Sequence, residues 1–267
     1  MIVQHNIASM NANRQLGIVG NNLSKATEKL SSGYRINRAA DDAAGLSISE
    51  KMRGQVRGLN RASDNAQDGI SLIQTAEGAM DQQHAILQRA RELAVQAAND
   101  TNVTEDRNAI SEELAQLKAE FDRITTQTEF NTQKLCNGSF KSKHFQVGAN
   151  KEQSIAVTIT TTVMSDISGN VDTYSKATAA IETINNNITA LSTTRSKLGA
   201  IQNRLEYTVK NDDNAAENIQ NAESRIRDVD MADEMTRFSK ESILQQAATS
   251  MLAQANQQNQ GVLSLLQ

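Results

Sequence analysis

The chain contains no proline in 267 residues, and this absence constrains its fold more than any other feature. Proline removes a backbone hydrogen-bond donor and clashes with the preceding helical turn, so a chain without it can form very long helices. Aromatic residues make up only 3% of the sequence, which is too few for a thick globular core. We therefore expect a mainly α fold in which long helices meet along narrow interfaces.

Apolar residues recur every three or four positions through most of the central region, residues 41–224. This spacing predicts one helix over residues 46–99, roughly 80 Å long at 1.5 Å per residue. A second helix is predicted to begin at Thr104, and a third at Tyr174, whose pattern continues toward Ile226. The central region is thus predicted to be a long antiparallel helical rod, or coiled coil.

The predicted long helix contains four glycines, Gly54, Gly58, Gly69 and Gly78. Each costs up to about 1 kcal/mol relative to alanine in a helix interior. We expect close helix packing to offset this cost.

Residues of about 135–165 break the helical spacing and alternate between apolar and polar instead. Phe145 and Val147 alternate before Gly148, where the chain can turn. This pattern predicts a small β-hairpin region. The apolar residues of the second strand are Ile155, Val157 and Ile159.

Both ends of the chain are nearly uncharged. Residues 242–267 contain no Asp, Glu, Lys, Arg or His, and Arg14 is the only fixed charge before Lys25. A solvated helix usually carries charge, so we expect residues 1–40 and 225–267 to pair as a second coiled coil. The residues predicted to mediate self-assembly are Val3, Ile7, Leu16, Leu23 and Leu30 near the start, and Leu244, Ala248, Met251, Ala255, Val262 and Leu265 near the end.

Several functional classes are excluded by composition. A net charge of −4 offers no basic footprint for nucleic acid. No apolar run is long enough for membrane insertion, and the start lacks the pattern of a Sec signal peptide. The single cysteine, Cys136, cannot form an intrachain disulfide. His and Cys lack metal-ligand spacing and no glycine loop suits a phosphate, so we expect no enzyme, no catalytic residues, no metal and no cofactor.

Several long segments carry a shared family pattern. Residues 28–59 read EKLSSGYRINRAADDAAGLSISEKMRGQVRGL, and FQVGAN follows at 145–150. SRIRDVDMADEM at 224–235 and the uncharged tail come next, and in this order the segments resemble the bacterial flagellins. The resemblance implies a structural subunit of the flagellar filament, self-assembling through its terminal helices into a helical tube for motility. Only about forty residues separate Phe130 from the returning helix predicted at Tyr174, so a core-only flagellin without large outer domains is expected.

The family also implies partners and a location. These are further copies of the chain, the flagellar type III export machinery and its chaperone, and the filament cap and junction proteins, with the chain secreted into the extracellular filament. Because the ends lack enough partners in a lone chain, we expect them to be mobile in the monomer and to fold on polymerisation. Two alternatives remain: a hook–filament junction protein, and a soluble coiled-coil signalling module.

A second role is implied by resemblance alone. Arg89, Leu93 and Gln96, with Glu113 on the neighbouring helix, match the flagellin motif that the host flagellin-sensing Toll-like receptor grips. Ala90 stands where the family usually has valine. The competing interpretation is that this face contacts the next subunit of a filament.

Overall fold

The computed structural model describes residues 6–161, 164 and 171–264, with side chains as far as residue 258. The expected mainly α fold is confirmed, with five helices and two small antiparallel hairpins in this part of the chain. The helices are α1 (Ile7–Ser32), α2 (Ala43–Ala97), α3 (Thr104–Gln127), α4 (Tyr174–Arg227) and α5 (Met231–Ser264). The strands are β1 (Glu129–Phe130), β2 (Gln133–Lys134), β3 (Lys143–Gln146) and β4 (Ser154–Val157).

Local sequence signals set the ends of the first two helices. Asn6 caps α1, its Oδ1 accepting a hydrogen bond from the backbone N–H of Ser9 at 3.0 Å. Gly33 ends α1 in the left-handed conformation, with φ of 74°. At the start of α2, Asp42 Oδ1 accepts a hydrogen bond from the backbone N–H of Gly45 at 2.8 Å.

The returning helix does not continue into the tail. α4 ends at Arg227 and α5 begins at Met231. Asp230 caps α5, since its Oδ1 accepts hydrogen bonds from the backbone N–H groups of Ala232 at 2.9 Å and Asp233 at 3.3 Å. Because Asp230 accepts hydrogen bonds from the N–H groups that follow it, a new helix starts here, although the apolar spacing predicted that the returning helix would continue.

The chain divides into two compact units. The first contains Met1–Gly54 and Asn218–Gln267, and the second contains Gln55–Glu217. The first unit takes in more of the chain than the predicted terminal domain, because both boundaries fall inside helices, α2 and α4. The two units are described separately below.

The core of the second unit lies among α2, α3 and α4. Gln83 Nε2 donates a buried hydrogen bond to Thr125 Oγ1 at 2.8 Å, which joins α2 to α3. Arg195 on α4 forms ion pairs with Asp81 at 3.1 Å and Glu77 at 3.6 Å on α2. The largest fully buried side chains of the second unit include Ile73, Met80, Leu87, Leu114, Phe121, Ile184 and Leu191.

The predicted hairpin is confirmed as β3 and β4. Phe145 lies opposite Ile155, and Lys143 opposite Val157. A second hairpin, β1–β2, follows α3 and was not predicted, since it is only two residue pairs long. Its turn uses Asn131 and Thr132, both with positive φ, of 46° and 63°.

Glycine permits close packing at one point in the second unit. A Cβ added to Gly58 would lie 2.7 Å from the Cβ and 3.2 Å from the Cα of Ala149, in the hairpin turn. A Cβ added to Gly69 would make only ordinary van der Waals contact with Leu205 and Phe145. Gly54 and Gly78 have nothing within 4 Å, so the expected close packing holds at Gly58 and not at those two positions.

Candidate functional site

The terminal helices α1 and α5 pair in antiparallel fashion within the first unit. Asn6 Nδ2 donates to the carbonyl oxygen of Ala255 at 3.0 Å. Ser9 Oγ donates to Asn256 Oδ1 at 2.8 Å. Residues near the start of the chain therefore contact residues near its end, as the two uncharged segments predicted.

Burial follows one regular stripe on each of these helices, spaced three and four residues apart, and we call the two stripes together the terminal interface. Most of its members are only half-buried, and Ala26 is the one fully buried residue of α1. At the start of the chain the stripe is the capping residue Asn6 followed on α1 by Ser9, Ala12, Leu16, Val19, Leu23, Ala26 and Leu30. On α5 it is Glu234, Phe238, Glu241, Gln245, Ala248, Leu252 and Ala255.

The predicted assembly residues divide into two groups. Leu16, Leu23, Leu30, Ala248 and Ala255 belong to the terminal interface. The side chains of Ile7, Leu244 and Met251 are exposed instead, by 65%, 40% and 65%. Val3 and Leu265, and the side chain of Val262, lie outside the described residues.

Sequence reasoning missed Phe238, Gln245 and Leu252 in the terminal interface. A strict repeat of three and four residues extended from Ala248 and Ala255 would have found them. The prediction followed Leu244 and Met251 because they are more apolar than Gln245, although a glutamine can occupy a half-buried stripe with its amide in water.

A second set of apolar side chains on α1 and α5 is exposed and lies outside the terminal interface, and we call it the apolar outer surface. Most of its α5 members lie four or eight residues apart, which places them along one ridge of the helix. On α5 they are Met231, Met235, Ile243, Leu244 and Met251, exposed by 49%, 50%, 67%, 40% and 65%. On α1 they are Ile7, Met10 and Ile18, exposed by 65%, 65% and 48%.

Two of these residues also line a depression in the surface. Ile7 and Met10 border a recess of about 720 Å³ together with Ala8, Asn11 and Arg14. Soluble monomers rarely expose a large contiguous apolar surface, and such surfaces commonly mark protein interaction sites.

A compact junction fixes the entry into α5. The backbone N–H of Arg35 donates to the carbonyl oxygen of Arg227 at 2.7 Å, and that of Val229 donates to Gly33 at 3.0 Å. The Arg227 guanidinium lies 4.8 Å from the centre of the Tyr34 ring and pairs with Glu50 at 2.7 Å. These contacts hold the end of α1 against the break between α4 and α5.

In the second unit, Arg89 on α2 forms an ion pair with Glu113 on α3. Arg89 Nε and Nη2 donate to one oxygen of Glu113 at 3.0 and 2.9 Å, and Nη1 donates to Glu92 at 3.2 Å. The hydrogen bonds that Arg89 donates raise the pKa of its guanidinium, the one to Glu113 more than the one to Glu92. Gln96 is exposed, whereas Leu93 is only 2% exposed and packs in the core.

Other candidate chemistry is sparse. Burial raises the pKa of the Cys136 thiol to about 11, so this cysteine stays protonated at neutral pH. Within residues 6–161, 164 and 171–264, no group of three His, Cys, Asp or Glu side chains could hold a metal ion. No helix in that part of the chain has the length and apolar character needed to cross a bilayer.

Comparison with known proteins shows which family the sequence matches. Residues 3–141 match the bacterial flagellin N-terminal helical region, and residues 181–266 match the bacterial flagellin C-terminal helical region. The chain is 56% identical over 271 residues to a flagellin of Halalkalibacterium halodurans, with both chains fully covered. It is 46% identical over 303 residues to the flagellin of Bacillus subtilis, again with full coverage of both.

Another relative and one solved structure match the chain in the same way. The flagellar filament 33 kDa core protein of Treponema phagedenis is 48% identical over 285 residues, with full coverage of both chains. The crystal structure of Bacillus cereus flagellin superposes with a TM-score of 0.51 at 29% identity, covering 56% of this chain and 88% of that one.

Proposed function

This chain belongs to the bacterial flagellin family and is a structural subunit of the flagellar filament, and we propose that its paired terminal helices form the main assembly surface. The observation that carries the proposal is the apolar outer surface, where Ile243 and Met251 are 67% and 65% exposed. Burying a large apolar side chain contributes about 1.5–3 kcal/mol. Further copies of the chain that cover this surface would therefore recover free energy that the lone chain cannot.

The terminal interface supports the same proposal. Its stripe relies on small or polar residues, such as Ala26, Ala248 and Gln245, and most of it is half-buried. Ordering backbone costs about 1–2 kcal/mol per residue. The pairing of α1 and α5 is therefore marginal in a lone chain, and it is completed when neighbouring copies pack around it.

Substitution of the outer surface tests the proposal. Ile243→Ser with Met251→Ser removes two exposed apolar side chains and leaves the terminal interface intact. We expect this variant to stay monomeric when seeded with filament fragments, as measured by light scattering and electron microscopy. The matched control, Gln246→Ser with Gln254→Ser, changes two exposed glutamines of α5 and should elongate seeds normally.

Elongation by the Ile243→Ser, Met251→Ser variant at the critical concentration of the unmodified chain would refute the proposed surface. The same assay separates a filament subunit from a junction protein, because the latter adds to a seed without extending it.

The polymer itself follows from symmetry. A head-to-tail contact that does not close generates a helical filament rather than a ring.

The family also implies contact with hook-associated proteins at the filament ends. We further propose export through the flagellar type III machinery with a dedicated chaperone, capping by the filament cap protein, and extracellular residence. A strain with a blocked export channel should retain the chain inside the cell.

We also propose that the monomer binds the host flagellin-sensing Toll-like receptor through Arg89, Gln96 and Glu113. The resemblance of the motif is supported by the Arg89–Glu113 ion pair, whose side chains remain 51% and 45% exposed and so available to a partner. Leu93 acts from the core, where it fixes the position of this face of α2 and makes no surface of its own.

Receptor binding should weaken in the Arg89→Ala, Glu113→Ala variant, measured with purified monomer and receptor ectodomain. The control is Arg61→Ala with Asp64→Ala, an exposed ion pair of the same helix at 3.3 Å. Equal affinity of both variants for the receptor would eliminate the assigned site and leave the filament role untouched.

A further inference from the structure

Methionine is concentrated on the apolar outer surface of the paired ends. The whole chain has eight methionines, and four of them belong to that surface. Each of the four is at least 49% exposed, and we call them the surface methionines: Met10, Met231, Met235 and Met251.

The second unit exposes no thioether in the same way. Its strongly exposed large apolar side chains, within the residues that the structure describes, are two valines and two tyrosines: Val95, Val103, Tyr174 and Tyr207. Its two methionines, Met80 and Met164, are 1% and 0% exposed. Of the remaining methionines, Met52 on α2 is half-buried and Met1 lies outside the described residues.

This distribution determines which sulfur atoms a dissolved oxidant can reach. Susceptibility of a sulfur-containing side chain to oxidation follows its exposure to solvent. The surface methionines should therefore react first, whereas Met80 and Met164 are shielded by the core of the second unit. A mild oxidant should change the apolar outer surface and leave that core unchanged.

A peroxide converts the methionine thioether to a sulfoxide. A lone pair of the sulfur attacks one oxygen of hydrogen peroxide, the O–O bond breaks and an S–O bond forms. The sulfur is thereby oxidised by two electrons, and the second oxygen leaves with both hydrogens as water. The product side chain is polar and accepts hydrogen bonds, where the thioether was apolar.

We propose that the surface methionines are a reversible modification site, and that their oxidation by a peroxide stops a free chain from joining a filament. This effect rests on the proposed function, because it requires further copies of the chain to cover the apolar outer surface. A sulfoxide that is covered without a hydrogen-bond partner loses the hydration that it has in the free chain, so the covered state becomes less favourable.

Oxidation and assembly compete for the same side chains. Once further copies cover the surface methionines, a peroxide no longer reaches the sulfur atoms. Oxidation therefore acts on free chains and spares the chains already inside a filament. Because sulfoxide reductases convert the sulfoxide back to the thioether, the block is reversible.

Peroxide treatment of the purified full-length monomer tests the proposal. The monomer is treated with hydrogen peroxide, the reaction is stopped with catalase, and filament seeds are added afterwards. Peptide mass spectrometry should find the surface methionines oxidised before Met80 and Met164. We expect the critical concentration for seeded elongation to rise at least about tenfold, the effect of one poorly satisfied polar group. Circular dichroism should show that the helices are retained.

Replacement of the four thioethers by leucine isolates their contribution. Leucine keeps an apolar side chain of similar volume and carries no sulfur. The variant is Met10→Leu, Met231→Leu, Met235→Leu, Met251→Leu. Its critical concentration before treatment is the reference, and peroxide should leave that value unchanged.

The matched control is Met52→Leu with Met80→Leu, which removes two thioethers outside the apolar outer surface and keeps all four surface methionines. Peroxide should raise its critical concentration by the same factor as that of the unmodified chain. A second measurement does not depend on any substitution. Treatment of the oxidised, unmodified chain with both sulfoxide reductases, one for each epimer at sulfur, should restore elongation.

Three results would overturn the proposal: normal elongation by a chain whose four sulfoxides are verified by mass spectrometry, a rise in the critical concentration of the four-leucine variant on peroxide treatment, or no recovery once the sulfoxides are reduced. In each case, a defect of Ile243→Ser, Met251→Ser would still support assembly through α1 and α5. If that double variant also elongates normally, the proposed assembly surface and its regulation by oxidation are both wrong.

Discussion

The second unit and the paired ends are both built from helices with apolar stripes, but they bury those stripes to different extents. In the second unit, Leu114, Ile184 and Leu191 are completely buried among three helices. In α1 only Ala26 is fully buried, and among the described side chains of α5 only Glu234 is. The second unit therefore holds its own core, whereas the ends leave most of their apolar side chains half-buried or exposed.

The difference arises from the number of partners that each stripe has. A helix packed between two others can bury a broad apolar face, while a two-helix pair buries one narrow stripe on each member. Isolated helical pairs must offset backbone entropy of about 1–2 kcal/mol per residue with that one stripe. Assembly supplies the missing neighbours.

Removal of the tail is the strongest way to break this comparison. A chain ending at Glu241 loses the exposed Ile243, Leu244 and Met251 and four of the seven α5 residues of the terminal interface. We expect no filaments by electron microscopy, even with seeds. Thermal unfolding of the second unit, followed by circular dichroism, should remain cooperative, because its core lies within Gln55–Glu217. Filaments formed by the shortened chain would contradict this division of roles.

One pair of leucines compares the two regions directly. Leu191→Ala opens a cavity at a fully buried site and should lower the free energy of unfolding by about 2–5 kcal/mol. Leu252→Ala, at a half-buried site of the terminal interface, should lower it by less than about 1 kcal/mol in the monomer. Both are measured by denaturant unfolding. Equal losses would mean that the terminal pair is as well packed as the core.

Glycines within α2 sharpen the picture of packing in the second unit. Gly58→Ala places a Cβ against Ala149, whose backbone would lie 3.2 Å away, so the hairpin turn must shift, at a cost of about 1–3 kcal/mol. Gly78→Ala is the control, because nothing lies within 4 Å of it. That substitution should stabilise the chain by about 0.5–1 kcal/mol through helix propensity. A stabilising Gly58→Ala would show that the hairpin does not pack closely on α2.

The second unit also tolerates a buried carboxylate. Asp212 is 5% exposed, and its Oδ2 has no hydrogen-bond partner. Burial, and then the charge of Asp213, raise the pKa of the Asp212 carboxyl. The folded chain therefore binds this proton more tightly than the unfolded chain does, and the free energy of unfolding falls as pH rises from the ordinary carboxyl pKa through the raised one.

Asp212→Asn should consequently stabilise the monomer at pH 7, on the order of 1 kcal/mol. The gain should vanish as the pH falls below the ordinary carboxyl pKa, where Asp212 is protonated in both states. The comparison is Glu182→Gln, an exposed carboxylate of the same helix, which should change little. A gain from Asp212→Asn that is independent of pH would assign the effect to packing rather than to ionisation.

Periodicity and end signals predicted much of the fold. The three-and-four spacing predicted α2 within a few residues, and Gly33 and Asp42 marked helix ends through conformations and hydrogen bonds that depend on one residue each. The break at Asp230 was missed because capping and apolar spacing gave conflicting signals there. The β1–β2 hairpin was missed because two residue pairs carry no detectable alternation.

The candidate site was only partly predictable for a related reason. The uncharged ends of the chain were enough to predict that residues 1–40 and 225–267 pair, since a charge-free apolar stripe has few other stable environments. Which residues face the partner helix and which face outward depends on the rotation of each helix. Successive residues are about 100° apart around the helix axis, so a shift of one position moves a side chain from the partner helix toward the outside. An apolar side chain can occupy either place.

By itself, the sequence determined that this protein consists of long helices, that its ends associate, and that it belongs among the flagellins. The first two properties follow from proline content, charge and periodicity, which act locally along the chain, and the third follows from the resemblance of long segments to that family. Only the tertiary structure decided that Ala248 and Leu252 line the terminal interface while Ile243 and Met251 face outward, and that Arg89 reaches Glu113 while Leu93 is buried. Such assignments depend on how helices distant in sequence rotate and pack to bury the most apolar area together.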